Sequence, residues 1–138
     1  MKVFLDTNVF VKYFECRREC QAVSRLLSAV EDGKVKGIIS AGCVYTLAYL
    51  IRMELKRQEI YRPDQTLRLR SMLNIILSLV TVASVSHKRI VMATNDPAFD
   101  DLEDSYQYQC AVQNKCDAIV TINLKDYSRV DTSKIEIL

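Results

Sequence analysis

Val3-Phe4-Leu5-Asp6-Thr7-Asn8-Val9 stands almost at the start of the chain, and the reading of the fold begins there. Three apolar residues in a row, two of them strong strand formers, predict a short strand over 2–6 that is buried on both faces. The strand ends on a carboxylate, and Thr7 and Asn8 are residues that can cap a following helix. The same figure recurs: short apolar runs at 37–40, 80–85, 117–121 and 135–138 alternate with segments of helical periodicity. The helices are expected over 20–31, where Val23, Leu26, Leu27 and Val30 share a face and Gly33 stops the helix, and over 41–57. Further ones are expected from Pro63 to about 78, over 86–94 and over 100–115. Asp100-x-x-Glu103 is an acidic variant of the capping box and opens the last of them. Alternating strands and helices imply right-handed crossovers and a parallel sheet covered on both sides. The expected fold is a single domain, residues 1–138, of α/β class: a three-layer α/β/α sandwich around a central parallel sheet of about five strands.

Composition narrows the chemistry. At 138 residues the chain can bury a full core without disulfide or zinc, and three glycines and two prolines do not suit a disordered or turn-rich chain. The net charge of +2 conceals an asymmetry. Residues 1–90 hold 15 Lys and Arg against 8 Asp and Glu, whereas residues 91–138 hold 4 against 9. An acidic pocket on a basic scaffold would give this pattern, so near-neutrality does not exclude a polyanionic partner. His87 is the only histidine, which rules out two-histidine metal motifs, and its setting reads as an exposed helix start. The five cysteines (16, 20, 43, 110 and 116) form no C-x-x-C pair, and Cys43 and Cys110 read as small core residues. That usage suits a reducing compartment, so a cytoplasmic location is expected. The uncharged stretches 37–51 and 71–86 are shorter than the roughly 20 apolar residues of a spanning helix, and Asp6 interrupts any leader-like apolar core, so no membrane association is expected.

In an open α/β sheet, ligands bind beyond the carboxyl ends of the strands where strand order reverses. Asp6-Thr7-Asn8 follows the first strand, Thr121-Ile122-Asn123-Leu124-Lys125-Asp126 follows the fourth, and Asp100, Asp101, Glu103 and Asp104 lead the helix before it. Each group has an ordinary structural explanation as a cap or turn former. Two points weigh the other way. A carboxylate at the end of an apolar strand must be solvated, paired or bound to metal, and Asp104 lies beyond the position that capping requires. Carboxylates without histidine or thiolate suit hard cations, Mg²⁺ or Mn²⁺, and the chemistry that follows is phosphodiester hydrolysis.

With these residues in order, the sequence resembles the PIN domain, the fold of VapC-type toxins and other Mg²⁺-dependent ribonucleases. Val3–Val9 resembles the first family motif, and 37–50 resembles the second strand and helix, with Ser40 in place. Phe99-Asp100-Asp101-Leu102-Glu103-Asp104 resembles the D-F-E-D element of one subgroup, and 117–127 its closing A-I-V-T-x-N-x-K-D-Y stretch. The resemblance implies one or two Mg or Mn ions held by Asp6, Asp104 and either Asn123 or Asp126, both of which fall where the fourth group is expected. Asp6, Asp104 and Asp126 would be the catalytic acids. Thr7, Asn8 and Thr121 would orient carboxylates or waters, with Thr46 and Glu103 in the same supporting ring. It further implies an RNA substrate, a homodimer, and in VapBC-type systems an antitoxin whose tail fills the active site. Of the basic residues, Lys12, Arg52 and Lys56 are the candidates to hold RNA phosphates, with Arg17 and Arg18 among the wider set.

One position departs from the pattern. The second acid of the family usually lies six residues after Ser40, and Thr46 stands there. Glu54, the next acid, is two helical turns on, about 12 Å along the axis. Two functions are therefore carried forward: a metal-dependent endoribonuclease of VapC-like toxin type, and a PIN-like nucleic-acid-binding or regulatory protein whose catalysis has weakened at Thr46. Other Asp-bearing α/β domains fit less well. A phosphoacceptor domain needs an aspartate after the third strand, where Ser84-Val85-Ser86 stands, and a dehalogenase-like phosphatase needs D-x-D where this chain has Asp6-x-Asn8.

Overall fold

The computed structural model describes residues 1–15 and 20–138, so Cys16, Arg17 and Arg18 lie outside the described residues. Five strands make one parallel sheet: β1 (Lys2–Leu5), β2 (Lys36–Ser40), β3 (Val80–Ala83), β4 (Ala118–Val120) and β5 (Glu136–Ile137). Their order across the sheet is β3-β2-β1-β4-β5, with β1 central. Among the described residues six α-helices lie between the first four strands, α1 (Thr7–Glu15), α2 (Cys20–Glu31), α3 (Ala41–Arg57), α4 (Asp64–Leu79), α5 (His87–Thr94) and α6 (Leu102–Gln113), and a 3-10 turn (Leu124–Tyr127) lies between β4 and β5. The steps β1→β2→β3 run one way across the sheet and the step β3→β4 runs back. Right-handed crossovers then put α1–α4 on one face and α5 and α6 on the other, giving three layers. No helix among the described residues is long and apolar enough to cross a membrane.

The strand sequences explain the layering. Phe4, Leu5, Ile39 and Ile119 have no exposed surface, and each contributes roughly 1.5–3 kcal/mol of burial between the helical layers. Gly37 is where β2 passes close to its neighbours: a Cβ there would lie 3.1 Å from Val80 Cγ1 and 3.3 Å from Leu5 Cδ1 and Val30 Cγ1. β3 is one of the two edge strands; it stops at Ala83, and its two central residues are exposed, so the apolar run expected to reach residue 85 pairs only in part.

Helix ends follow local chemistry, with two corrections. The Ser40 hydroxyl accepts from Cys43 N to cap α3, and Ser86 does the same for Arg89 N at α5, beside an exposed His87. Gly33 takes φ +75° after α2, as a stop signal requires. The first correction concerns α1. Thr7 is already helical, and it is Asp6 that precedes the helix, its carbonyl accepting from Val9 N at 3.0 Å. The second concerns α6, whose cap is Asp101, accepting from Glu103 N at 2.8 Å, rather than Asp100. Asp100 pairs instead with Arg129 at 2.9 Å, a partner 29 residues away that no local rule anticipates. Glu103 is thereby released from a capping box.

Candidate active site

The reversal of strand order lies at β1, whose two neighbours are β2 and β4, and Asp6 sits at its carboxyl end. This is the crevice that the topology of an open sheet reserves for a ligand. A pocket opens there, lined by Asp6, Thr7, Asn8, Thr46, Leu50, Asp101, Glu103, Asp104, Gln107, Asn123 and Asp126. The residues come from the ends of β1 and β4, the middle of α3 and the first two turns of α6. Among the described residues, none that lines the pocket is basic.

Asp6 is 1% exposed, and its side chain is held from several sides. The Thr121 hydroxyl donates to Oδ2 at 2.7 Å, from the residue after β4, which β1 pairs with directly. Gln107 also hydrogen-bonds the Asp6 carboxylate. Burial outweighs these donors and pushes the Asp6 carboxyl above its ordinary range. Asp104, buried in the first turn of α6, is pushed up to about 7, first by burial and then by the charges of Asp6, Asp101, Asp126 and Glu103. The Tyr127 hydroxyl reaches Asp104 Oδ1 at 3.5 Å, a long contact. Glu103 is half-buried and also raised, mainly by burial; its Oε1 accepts from Thr7 Oγ1 at 3.0 Å. The charges of Asp6 and Asp101 add to burial in raising both Glu103 and Asp104, and no basic residue among the described ones lines the pocket to offset them.

The structure gathers most of the sequence candidates and separates others. Asp6, Asp104, Asn123, Asp126, Thr7, Asn8, Thr46 and Glu103 all line the pocket. Thr121 stands behind Asp6, and its hydroxyl also accepts from Asn123 N at 3.0 Å. Asn123 and Asp126 both face the cavity, so the choice between them stays open. Lys12, Arg52 and Lys56 do not line it; Lys56 borders an apolar groove between α3 and α4 instead, ten residues and about 15 Å along α3 from Thr46.

Gln107 escaped the sequence reading. It is 2% exposed, and its Oε1 accepts from Thr7 N at 3.3 Å and from Cys43 Sγ at 3.5 Å. Those donors fix the amide's orientation and leave its NH₂ to Asp6. The available signal was its spacing: Gln107 follows Glu103 by four residues and Asp104 by three, on one face of α6. Asp101 likewise lines the pocket while capping the helix.

Among the described residues, no three His, Cys, Asp or Glu side chains form a ready group for a metal ion. The donor set is nevertheless of the right chemistry for Mg²⁺ or Mn²⁺, being all oxygen, anionic and open to water. Mg²⁺ keeps several waters and takes only one or two carboxylates, so a closed three-acid cage is not what it needs.

Comparison with known proteins bears on the same residues. The PIN domain family profile matches residues 2–125, which spans β1 to the segment after β4 and includes every pocket acid except Asp126. The chain belongs to the PIN domain family. No curated protein matches its sequence. Among solved structures, a chain in the crystal structure of VapBC2 from Rickettsia felis, bound to a DNA fragment from their promoter, superposes with a TM-score of 0.70 at 16% identity. The match covers 100% of this chain and 98% of that one. At that identity the likeness speaks for the PIN architecture as a whole.

Proposed function

We propose that this PIN domain is a divalent-cation-dependent endoribonuclease, the toxin of a VapBC-type pair. The observation that carries the reading is the Asp6 carboxylate, buried at the switch point of the sheet and sharing its pocket with Glu103, Asp104 and Asp126, with no basic residue among the described ones lining it. Such an arrangement is costly to the fold and gains its sense when a cation offsets it. Asp6 and Asp104 would hold the ion, Mg²⁺ or Mn²⁺, with Asn123 or Asp126 completing the set; Thr121 and Gln107 keep Asp6 in place. When bound, the ion lowers the pKa of a coordinated water and offsets charge on phosphate oxygens. In the ion-free protein Asp104 titrates near neutrality, and a bound cation would hold it in the charged form that a ligand needs.

RNA as substrate, an antitoxin as partner, a homodimeric state and a cytoplasmic location belong to this proposal. Family membership and the likeness to a chain of VapBC2 support the first two, and the free, buried Cys43, Cys110 and Cys116 accord with a reducing compartment. Lys12, Arg52 and Lys56 are the proposed phosphate contacts beyond the pocket. The second reading, a binding or regulatory protein with weakened catalysis, draws on Thr46, the uncharged residue that α3 presents to the pocket. One assay decides between them. Cleavage of single-stranded RNA in Mn²⁺, abolished by EDTA and by Asp6→Asn, is the expected result. Cleavage that persists in Asp6→Asn refutes the nuclease site, and an inert wild-type protein that still retains RNA on a filter favours the second reading.

A further inference from the structure

Thr46 looks like a lost ligand only while α3 is considered alone. We infer that Glu103 supplies, from the first turn of α6, the acidic group that α3 does not carry, and that Thr46 serves it as a hydrogen-bonding partner. The inference rests on the proposed cation site and names one more side chain that faces the ion.

Four observations lead to it. The α3 wall of the pocket consists of Thr46 and Leu50, neither of them charged. Glu54, the next acid along α3, is engaged by Arg57 Nε at 2.8 Å and by Gln58 Nε2 at 3.1 Å at the helix surface, so it does not turn inward. Glu103 does line the pocket, with Thr7 Oγ1 on its Oε1 and the Thr46 hydroxyl as a further, weaker hydrogen-bonding neighbour. Its place is also unexplained by helix capping, because Asp101 alone caps α6 and Glu103 does not reach back to the cap.

The Thr7 hydroxyl holds the Glu103 carboxylate from the β1 side, and Thr46 lines the same pocket from the α3 side. A carboxylate has about four acceptor positions, so the Thr7 hydroxyl orients it and leaves capacity for Thr46 and for a cation. The half-buried carboxylate thus faces the same cavity that a longer acidic side chain at position 46 would enter. Threonine at 46 then follows from room and charge: a second acid there would meet Glu103 at close quarters. The acid has moved from one wall of the pocket to the other.

The test is Mn²⁺ binding by calorimetry on the full chain, with circular dichroism and melting curves confirming the fold of each variant. Wild type should bind and Asp6→Asn should not. Glu103→Gln should weaken Mn²⁺ affinity by about 10- to 100-fold, the range seen when a metal site loses a supporting group. Thr46→Glu alone should give no gain, and the combination of Glu103→Gln with Thr46→Glu should recover much of the loss. Glu103→Gln binding within about twofold of wild type would overturn the inference, as would Thr46→Glu tightening Mn²⁺ binding about tenfold. A wild-type protein that binds no Mn²⁺ would overturn the cation site itself, and this inference with it.

Discussion

Asp104→Asn should stabilise the ion-free protein above neutral pH and leave it nearly unchanged at pH 4. The Asp104 carboxyl is pushed from 3.8 up to about 7 by burial and by Asp6, Asp101, Asp126 and Glu103 around it. The unfolded chain releases this proton near pH 4, whereas the folded protein keeps it until about pH 7. Between those limits the native state binds more protons, so stability falls as pH rises and the loss is complete above the folded value. At 1.36 kcal/mol for each tenfold change in proton affinity, the ceiling is about 4 kcal/mol; water in the open pocket screens the charges and brings the expected effect to about 2 kcal/mol. Asparagine keeps the shape and carries no charge, so its stability should depend less on pH. Asp6 and Glu103 are raised in the same direction and leave the variant a residual slope of the same sign. The assay is urea denaturation of both proteins at pH 4.5 and pH 8, at fixed ionic strength and in EDTA. The reasoning is refuted if the two proteins lose equal stability between those pH values, or if the variant is the weaker at pH 8. Adding Mn²⁺ at pH 8 should restore stability to wild type and give the variant less.

Three further outcomes follow from particular contacts. Thr121→Val removes the 2.7 Å donor to Asp6 Oδ2 and the acceptor for Asn123 N; Mn²⁺ affinity measured by calorimetry should fall by about 10- to 100-fold while the melting curve stays cooperative. Gly37→Ala forces a Cβ against Val80, Leu5 and Val30, and should cost about 1–3 kcal/mol in urea denaturation. Leu47→Ala, at a side chain with no exposed surface, should cost about 2–5 kcal/mol by the same assay and leave Mn²⁺ affinity within about twofold, because Leu47 does not line the acidic pocket.

Much of the fold was legible because the apolar runs are short, separate and followed by strong helix signals. The segments 20–31 and 41–57 coincide with α2 and α3, and the central place of β1 agrees with the resemblance to PIN domains. What escaped was set by tertiary partners. Asp100 and Asp101 are equal as local caps; Arg129, far along the chain, draws Asp100 away. Gln107 reads as a surface amide, yet α6 packs across β1, β2 and β4 and is enclosed on several sides, burying Asp104, Ser105, Gln107 and Gln109 together. The pocket was legible through its acids, since charge at a strand end is conspicuous. The neutral groups that hold those acids were harder to see, because Thr46 and Gln107 acquire meaning only from what faces them.

The pairing of β1 with β4 has a consequence in time as well as space. Asp6 meets the Thr121 hydroxyl across 115 residues of chain, and β1 can acquire that neighbour only after the crossover through α5 and α6 has closed. Contacts of such sequence separation form late, after the entropy of the intervening loop has been surrendered. During synthesis Asp6 emerges well before Thr121, the partner that lies 115 residues further along the chain. Until that stretch has been made and folded back, the chain carries Asp6 without the setting that gives it an office.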